Sequence, residues 1–287
     1  MRDMIHAGLV LEGGGMKGFF TIGVLDYFME RGILFSDIYG VSAGACHLTG
    51  YVSGQKGRQF DVCSDYLDTR RYCSPYSLLT SGDLFHAKIV YSLVPKYLNP
   101  FDYDAFRAFP GRAYAVVTNI ETGEPEYPRL RDLEKDMIWV QASASLPLVS
   151  RNVRVGDGLY LDGGISDAIP IRRAHQDGLH KCVVVLTKEV GYVRKPTGKA
   201  NLALLRARYL RYPKVPELMK DRHIRYAQTL DYLEQSEKDG TAFVIRPQRK
   251  SDVARIEKDV DKLKLLYKEG YEEAERCFGR MMEYLGR

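Results

Sequence analysis

Residues 35–51 read FSDIYGVSAGACHLTGY. An apolar run leads into Gly40-Val41-Ser42-Ala43-Gly44, and a stretch of small residues follows. The run before Ser42 predicts a short buried strand, and the stretch after it a helix thin enough to pack closely. Two readings of the junction are open. It is an ordinary tight turn that needs its glycines, or it is a nucleophile elbow that lifts the serine hydroxyl out of the chain.

The same alternation continues on either side. HAGLVLEGGG predicts a buried strand ending in a glycine turn, and MKGFFTIGVLDYFMERG a helix that stops at Gly32. Downstream, RAYAVVTNI reads as a strand and YPRLRDLEKDMIWVQASAS runs into a helix ending before Pro147. NVRVGDGLYLDGG reads as two short strands, and IPIRRAHQDGLH as a helix beginning near Pro170. KCVVVLT and TAFVIRP are two further strands. From Ser251 the tail reads as helix, with Val253, Ile256, Val260, Leu263 and Tyr267 on one face. Strands alternating with helices imply an α/β fold, a three-layer sandwich whose largely parallel sheet is covered on both faces. The expected organisation is a catalytic core over residues 1–190. Within it, residues 56–110 are a lid- or cap-like insertion, and residues 191–287 form a basic, mainly helical region with one more strand.

Composition narrows the class. The chain has 287 residues, 45% of them hydrophobic, which is enough for a large core. The N-terminus lacks the apolar core and cleavage site of a signal peptide, and no run reaches the length of a membrane span. The expected location is therefore cytoplasmic. Five scattered cysteines without a C-x-x-C pair argue for free thiols rather than disulfides or zinc. A net charge of +5 is too small to imply nucleic acid. The charge is concentrated, however: between residues 194 and 225 ten Lys/Arg interleave with leucines and tyrosines against two acids. That segment reads either as a solvated helical face or as a surface for peripheral contact with an anionic membrane.

Three motifs carry chemistry. Gly13-Gly14-Gly15-Met16-Lys17-Gly18 follows a strand and opens a helix, so its amides and the helix N-terminus favour a phosphate or an oxyanion. It also fits the dinucleotide fingerprint G-x-G-x-x-G. That reading wants an acid at the end of the second strand, whereas this strand runs into Ser42 and Asp37 lies at its beginning. In G-x-S-x-G the residue after the serine, Ala43, offers a backbone N–H to the reacting centre. The third motif is Asp162-Gly163-Gly164 after Leu159-Tyr160-Leu161. A serine hydroxyl needs a base to take its proton, and an aspartate can serve where geometry compensates for its low basicity. No histidine has a compelling context. His175 and His180 read as exposed, His223 sits among bases, and His47 is expected to point away from the hydroxyl.

In this order and spacing the three motifs resemble the patatin-like phospholipases over residues 7–187. The resemblance implies a bacterial-type serine acyl hydrolase cleaving acyl esters of lipids, with neither metal nor cofactor. Ser42 would be the nucleophile and Asp162 the proton acceptor, with an oxyanion hole at Gly13, Gly14 and Gly15. Ala43 would contribute its amide to the same hole. Lys17 and Gly18 belong to the glycine loop, where Lys17 would steady the loop or attract a headgroup. Gly40 and Gly44 are the elbow glycines, and Gly163 and Gly164 the turn beside the aspartate. ASASLP (residues 142–147) also resembles the family's segment before that strand. One departure is Ala168, where many members carry Asn two residues before the proline, so Ser166 or Asp167 is expected to support the aspartate loop instead. Two other readings compete: a non-catalytic lipid-binding module of the same fold, and a nucleotide-binding oxidoreductase using the glycine loop.

Overall fold

The computed structural model describes residues 4–67, 69 and 72–287. In chain order the elements are β1 (Met4–Leu11), α1 (Phe19–Glu30), β2 (Leu34–Val41), α2 (Ala43–Val52), α3 (Arg58–Ser64), α4 (Pro75–Ser81) and α5 (Tyr103–Arg107). There follow β3 (Arg112–Asn119), β4 (Pro125–Glu126), β5 (Arg129–Leu130), α6 (Leu133–Ser143), β6 (Val153–Val155), β7 (Gly158–Asp162) and α7 (Ile171–Gln176). The chain closes with β8 (Cys182–Val185), α8 (Lys199–Arg208), α9 (Lys214–Lys238), β9 (Ala242–Ile245) and α10 (Val260–Leu285).

The strands form one sheet in the order β6-β7-β3-β2-β1-β8-β9, with β4 and β5 paired to β3. From β3 to β9 the neighbours are parallel. The hairpin β6–β7 joins antiparallel to β3. β1 shows why both faces are covered. Its Leu9 and Leu11 pack with α1 and α10, and Val10 between them packs with α7 and α9 on the other side. Strands buried on both faces read as continuous apolar runs, which is what LVL and CVVV are. The structure is therefore a three-layer α/β sandwich with a largely parallel sheet. The segment after residue 190 is part of it: β9 extends the sheet, and α9 and α10 lie on opposite faces.

α10 packs on α1 closely enough to require glycine on both helices. A Cβ on Gly270 would collide with the Phe20 carbonyl, and one on Gly23 with that of Tyr267. Tyr267 also donates from its hydroxyl to Asp26 of α1 (2.9 Å). The obstacle in each case is backbone, so neither site can relax cheaply. Gly270→Leu is expected to cost about 3 kcal/mol, the upper part of the range for overpacking. A shift in the urea midpoint worth under about 1 kcal/mol would refute this account of the contact.

The tail departs from its expected form. Residues 251–259 are not helical, and α10 begins only at Val260 behind an Asp259 N-cap. Side chains capture the local amides instead. Ser251 Oγ accepts from Val253, and the Glu257 carboxylate accepts from Ala254, Lys258 and Asp259. Such bonds compete with a helix ladder. The apolar spacing holds only from Val260 onward: Val253 is buried in this strap but Ile256 is 45% exposed.

Candidate active site

Ser42 stands where β2 ends and α2 begins, with φ 54° and ψ −119°. A positive φ is strained for a serine, by about 1–3 kcal/mol. The surroundings explain how the turn is held. The Ser42 amide donates to Ser143 Oγ (2.9 Å), and that hydroxyl donates to the Val116 carbonyl (2.6 Å). Gly40 and Gly44 make the elbow narrow enough: a Cβ on Gly40 would meet Ala45 at 2.7 Å, and one on Gly44 the Leu11 carbonyl at 2.5 Å.

The glycine loop lies against this elbow. A Cβ on Gly13 would be 2.8 Å from Ser42 Cβ, and one on Gly14 would be 2.6 Å from Thr187 Oγ. Gly15 adopts φ +59°. Among the described residues the amides of Gly13 and Gly14 donate to no acceptor. Gly18 packs on His47 and Ala43. Beneath the loop, buried Glu12 is fully engaged. Its Oε1 accepts from Tyr226 (2.7 Å), and its Oε2 from the Thr187 amide (2.7 Å). The Thr187 hydroxyl lies within reach of Glu12 Oε2 (3.0 Å) and of the Gly13 carbonyl (2.9 Å).

Asp162 ends β7. The register places one strand between it and Ser42, since Val41 pairs with Val116 and Val117 with Asp162. Two strand spacings put the backbones about 10 Å apart, a gap that two side chains directed into one cavity can narrow. Asp162 is 1% exposed. Its Oδ1 accepts from the Gly164 amide (2.7 Å), while buried Oδ2 has no hydrogen-bond partner among the described residues. The loop is tied down from several sides. The Asp162 amide donates to the Ser145 carbonyl (2.7 Å), Thr118 donates to the Asp162 carbonyl (2.8 Å), and Arg222 Nε donates to the Gly164 carbonyl (2.6 Å). Of the two substitutes expected for the missing Asn, Ser166 reaches the loop through Thr118 (2.8 Å). Asp167 donates its amide to the Gly163 carbonyl (2.9 Å), and its carboxylate accepts from Tyr127 (2.8 Å).

Two cavities meet at Ser42. One, of about 150 Å³, is mainly apolar, walled by residues such as Met16, Val94, Met137, Val140 and Leu146. The 56–110 stretch supplies much of its wall, including Val62, Tyr72, Phe85 and Tyr91. The other, of about 210 Å³, holds Ser42 together with Asp162, Gly13, Gly14, Lys17 and Gly164. Sequence reading missed its remaining cations, Lys188, Arg194, Arg222 and Arg255. Of the ten bases between 194 and 225, seven are exposed, while Arg194, Arg222 and Arg225 turn inward.

His47 lines the apolar cavity, but neither of its ring nitrogens has a partner among the described residues, and burial pushes it down to about 4. His180 is exposed, as expected, and His175 is half-buried, bonded to Tyr232 (2.7 Å). All five cysteines are free. Burial raises their thiols, Cys46 beside the cavity to about 12, which leaves them poor nucleophiles.

The structure thus sets a strand-to-helix elbow beside a glycine loop on a largely parallel sheet, with an aspartate two strands away on the antiparallel β7. The patatin-like phospholipase profile matches residues 9–175, and the chain belongs to that family. A domain of unknown function (DUF6363) matches residues 212–286. The chain is 33% identical to the uncharacterized protein YjjU of Escherichia coli over 186 residues, 62% of this chain and 51% of that one. It is 29% identical to the NTE family protein Rv2565 of Mycobacterium tuberculosis over 185 residues, 61% of this chain and 30% of that one. It is 25% identical to Lysophospholipase NTE1 of Debaryomyces hansenii over 260 residues, 84% of this chain and 16% of the other. The chain thus spans about half the length of the first of these relatives and less of the others. Among solved structures, VipD from Legionella pneumophila aligns with 98% of this chain and 67% of its own, at 16% identity and TM-score 0.47. Among the described residues no helix is long and apolar enough to cross a membrane.

Proposed function

We propose that the protein is a serine hydrolase of lipid acyl esters, of the phospholipase A or lysophospholipase type, working through Ser42 and Asp162. The observation that carries this reading is the meeting of the two cavities at a strained Ser42, with an unpartnered Asp162 oxygen lining the second of them. An acyl chain in the apolar cavity, beneath the insertion formed by residues 56–110, would bring its ester carbonyl to the serine.

Ser42 Oγ attacks the carbonyl carbon as its proton passes to Asp162 Oδ2. The negative charge on the carbonyl oxygen is met by the free amides of Gly13 and Gly14, with those of Gly15 in the same loop and Ala43 at the start of α2. Each such donor is worth about 3 kcal/mol in the transition state. The alcohol leaves with the proton from Asp162, and water deprotonated by the same carboxylate cleaves the acyl-enzyme. The Gly164 amide on Oδ1 and the Arg222 bond to the Gly164 carbonyl keep Oδ2 aimed while the proton moves. A fluorophosphonate ester mimics the acyl centre and should label a single residue, Ser42, as read by peptide mass spectrometry. Intact, ester-hydrolysing protein that takes no label, or takes it elsewhere, would refute the assignment.

A further inference from the structure

The polar cavity contains more positive charge than ester hydrolysis requires. Lys188, Arg194, Arg222 and Arg255 all enter it from outside the segment matched by the patatin profile, and the last two come from residues 212–286. Lys17 joins them from the glycine loop. Against these five cations stand two carboxylates, Glu12 and Asp162. Glu12 accepts from Tyr226 and Thr187 and keeps its negative charge, so five cations against two carboxylates leave an excess of three positive charges in the lining. Among the described residues none of the five cations has a carboxylate within ion-pair distance.

Like charges gathered away from water destabilise one another unless an anion joins them. The strain registers on two of them. Burial, then repulsion from Lys17, Arg194 and Arg255, holds Lys188 down at about 8 against the pull of Glu12. Burial and Arg194 lower Arg222 likewise. The cavity therefore wants negative charge. It also disfavours a quaternary ammonium, which binds over open aromatic faces. Lys188 already lies over the Tyr192 ring (5.9 Å) and Arg194 over that of Tyr226 (4.3 Å).

Ser42 and Arg255 line both cavities, so a ligand held at the serine has its apolar arm on one side and its polar arm among the cations. We infer that the polar cavity holds the phosphate of a phosphomonoester headgroup, so that the preferred substrates are acylglycerol phosphates rather than choline-bearing or neutral lipids. This assignment rests on the hydrolase reading above. It gives the 212–286 segment a task, to supply Arg222 and Arg255 to a site whose serine lies elsewhere in the chain.

The test compares kcat/KM for three substrates with one acyl chain: an acylglycerol phosphate, its phosphocholine ester and a monoacylglycerol. The phosphomonoester should be preferred at least about 10-fold in the wild type, and Lys188→Met or Arg194→Gln should reduce that ratio by about 10–100-fold, as expected for a charge-assisted contact. Lys188→Arg should retain most of it. Inorganic phosphate should inhibit monoacylglycerol hydrolysis competitively, more weakly in Lys188→Met. It should also inhibit more weakly as the pH rises past about 8, where Lys188 loses its proton. The charged and tyrosine groups that share the polar cavity with that ammonium are Glu12, Lys17, Asp162, Tyr192, Arg194, Arg222 and Arg255. Equal use of the three lipids, or a parallel loss of all three in the variants, would overturn the headgroup assignment. Phosphate inhibition without lipid preference would overturn it too, because the cavity would then take free phosphate. Failure to hydrolyse any of the three lipids would overturn the hydrolase reading and this one with it.

Discussion

Ser42→Ala is expected to lower kcat/KM for ester hydrolysis by on the order of 10⁴-fold or more, because the nucleophile is removed and water must attack unaided. Stability should change by less than about 1 kcal/mol, since the Ser42 bond to Ser143 is made by the backbone amide and survives the substitution. Alanine also keeps the left-handed backbone strain, so no compensating gain is expected. Turnover and urea unfolding of the same preparation separate the two effects. A folded variant within 100-fold of wild type would remove Ser42 from the mechanism.

Asp162→Asn should cost about 10²–10⁴-fold in kcat, the usual worth of a positioned general base. The substitution is conservative by geometry. An amide oxygen can still accept from Gly164, so the loop held by Ser145, Thr118 and Arg222 should keep its form. What disappears is the basic oxygen at the Oδ2 position. Fluorophosphonate labelling should slow in parallel with turnover, because both need Ser42 to give up its proton. Near-normal kcat in this variant would mean that another group takes the proton. His47 is a poor substitute, since burial keeps its ring neutral and proton affinity low, at about 4.

The alternation of strands and helices was legible because it is written locally, in apolar runs such as CVVV and in the small residues after Ser42. The elbow was legible for the same reason, since its glycines answer to neighbours a few positions away. The strap at residues 251–259 was misread because its valine and isoleucine keep helical spacing, while Ser251 and Glu257 take the amides a helix would need. Nothing in the spacing of ASASLP (residues 142–147) assigns it a role. Only the folded chain shows that Ser143 holds the Ser42 amide and that the Ser145 carbonyl takes the Asp162 amide.

What the sequence by itself determined, then, is the set of local devices: a glycine loop, a serine turn, an aspartate before two glycines, and the strands that carry them. Which Asp162 oxygen is free, and which cations face it, was decided by tertiary structure. Sheet order sets the carboxyl ends of β1, β2 and β8 side by side and the end of β7 beyond β2 with β3 between them, so residues from Glu12 to Arg255 share a single cavity. Spacing along the chain cannot encode that, because strand register and helix packing bring the cations to partners distant in sequence, as Arg222 is brought to Gly164, 58 residues away.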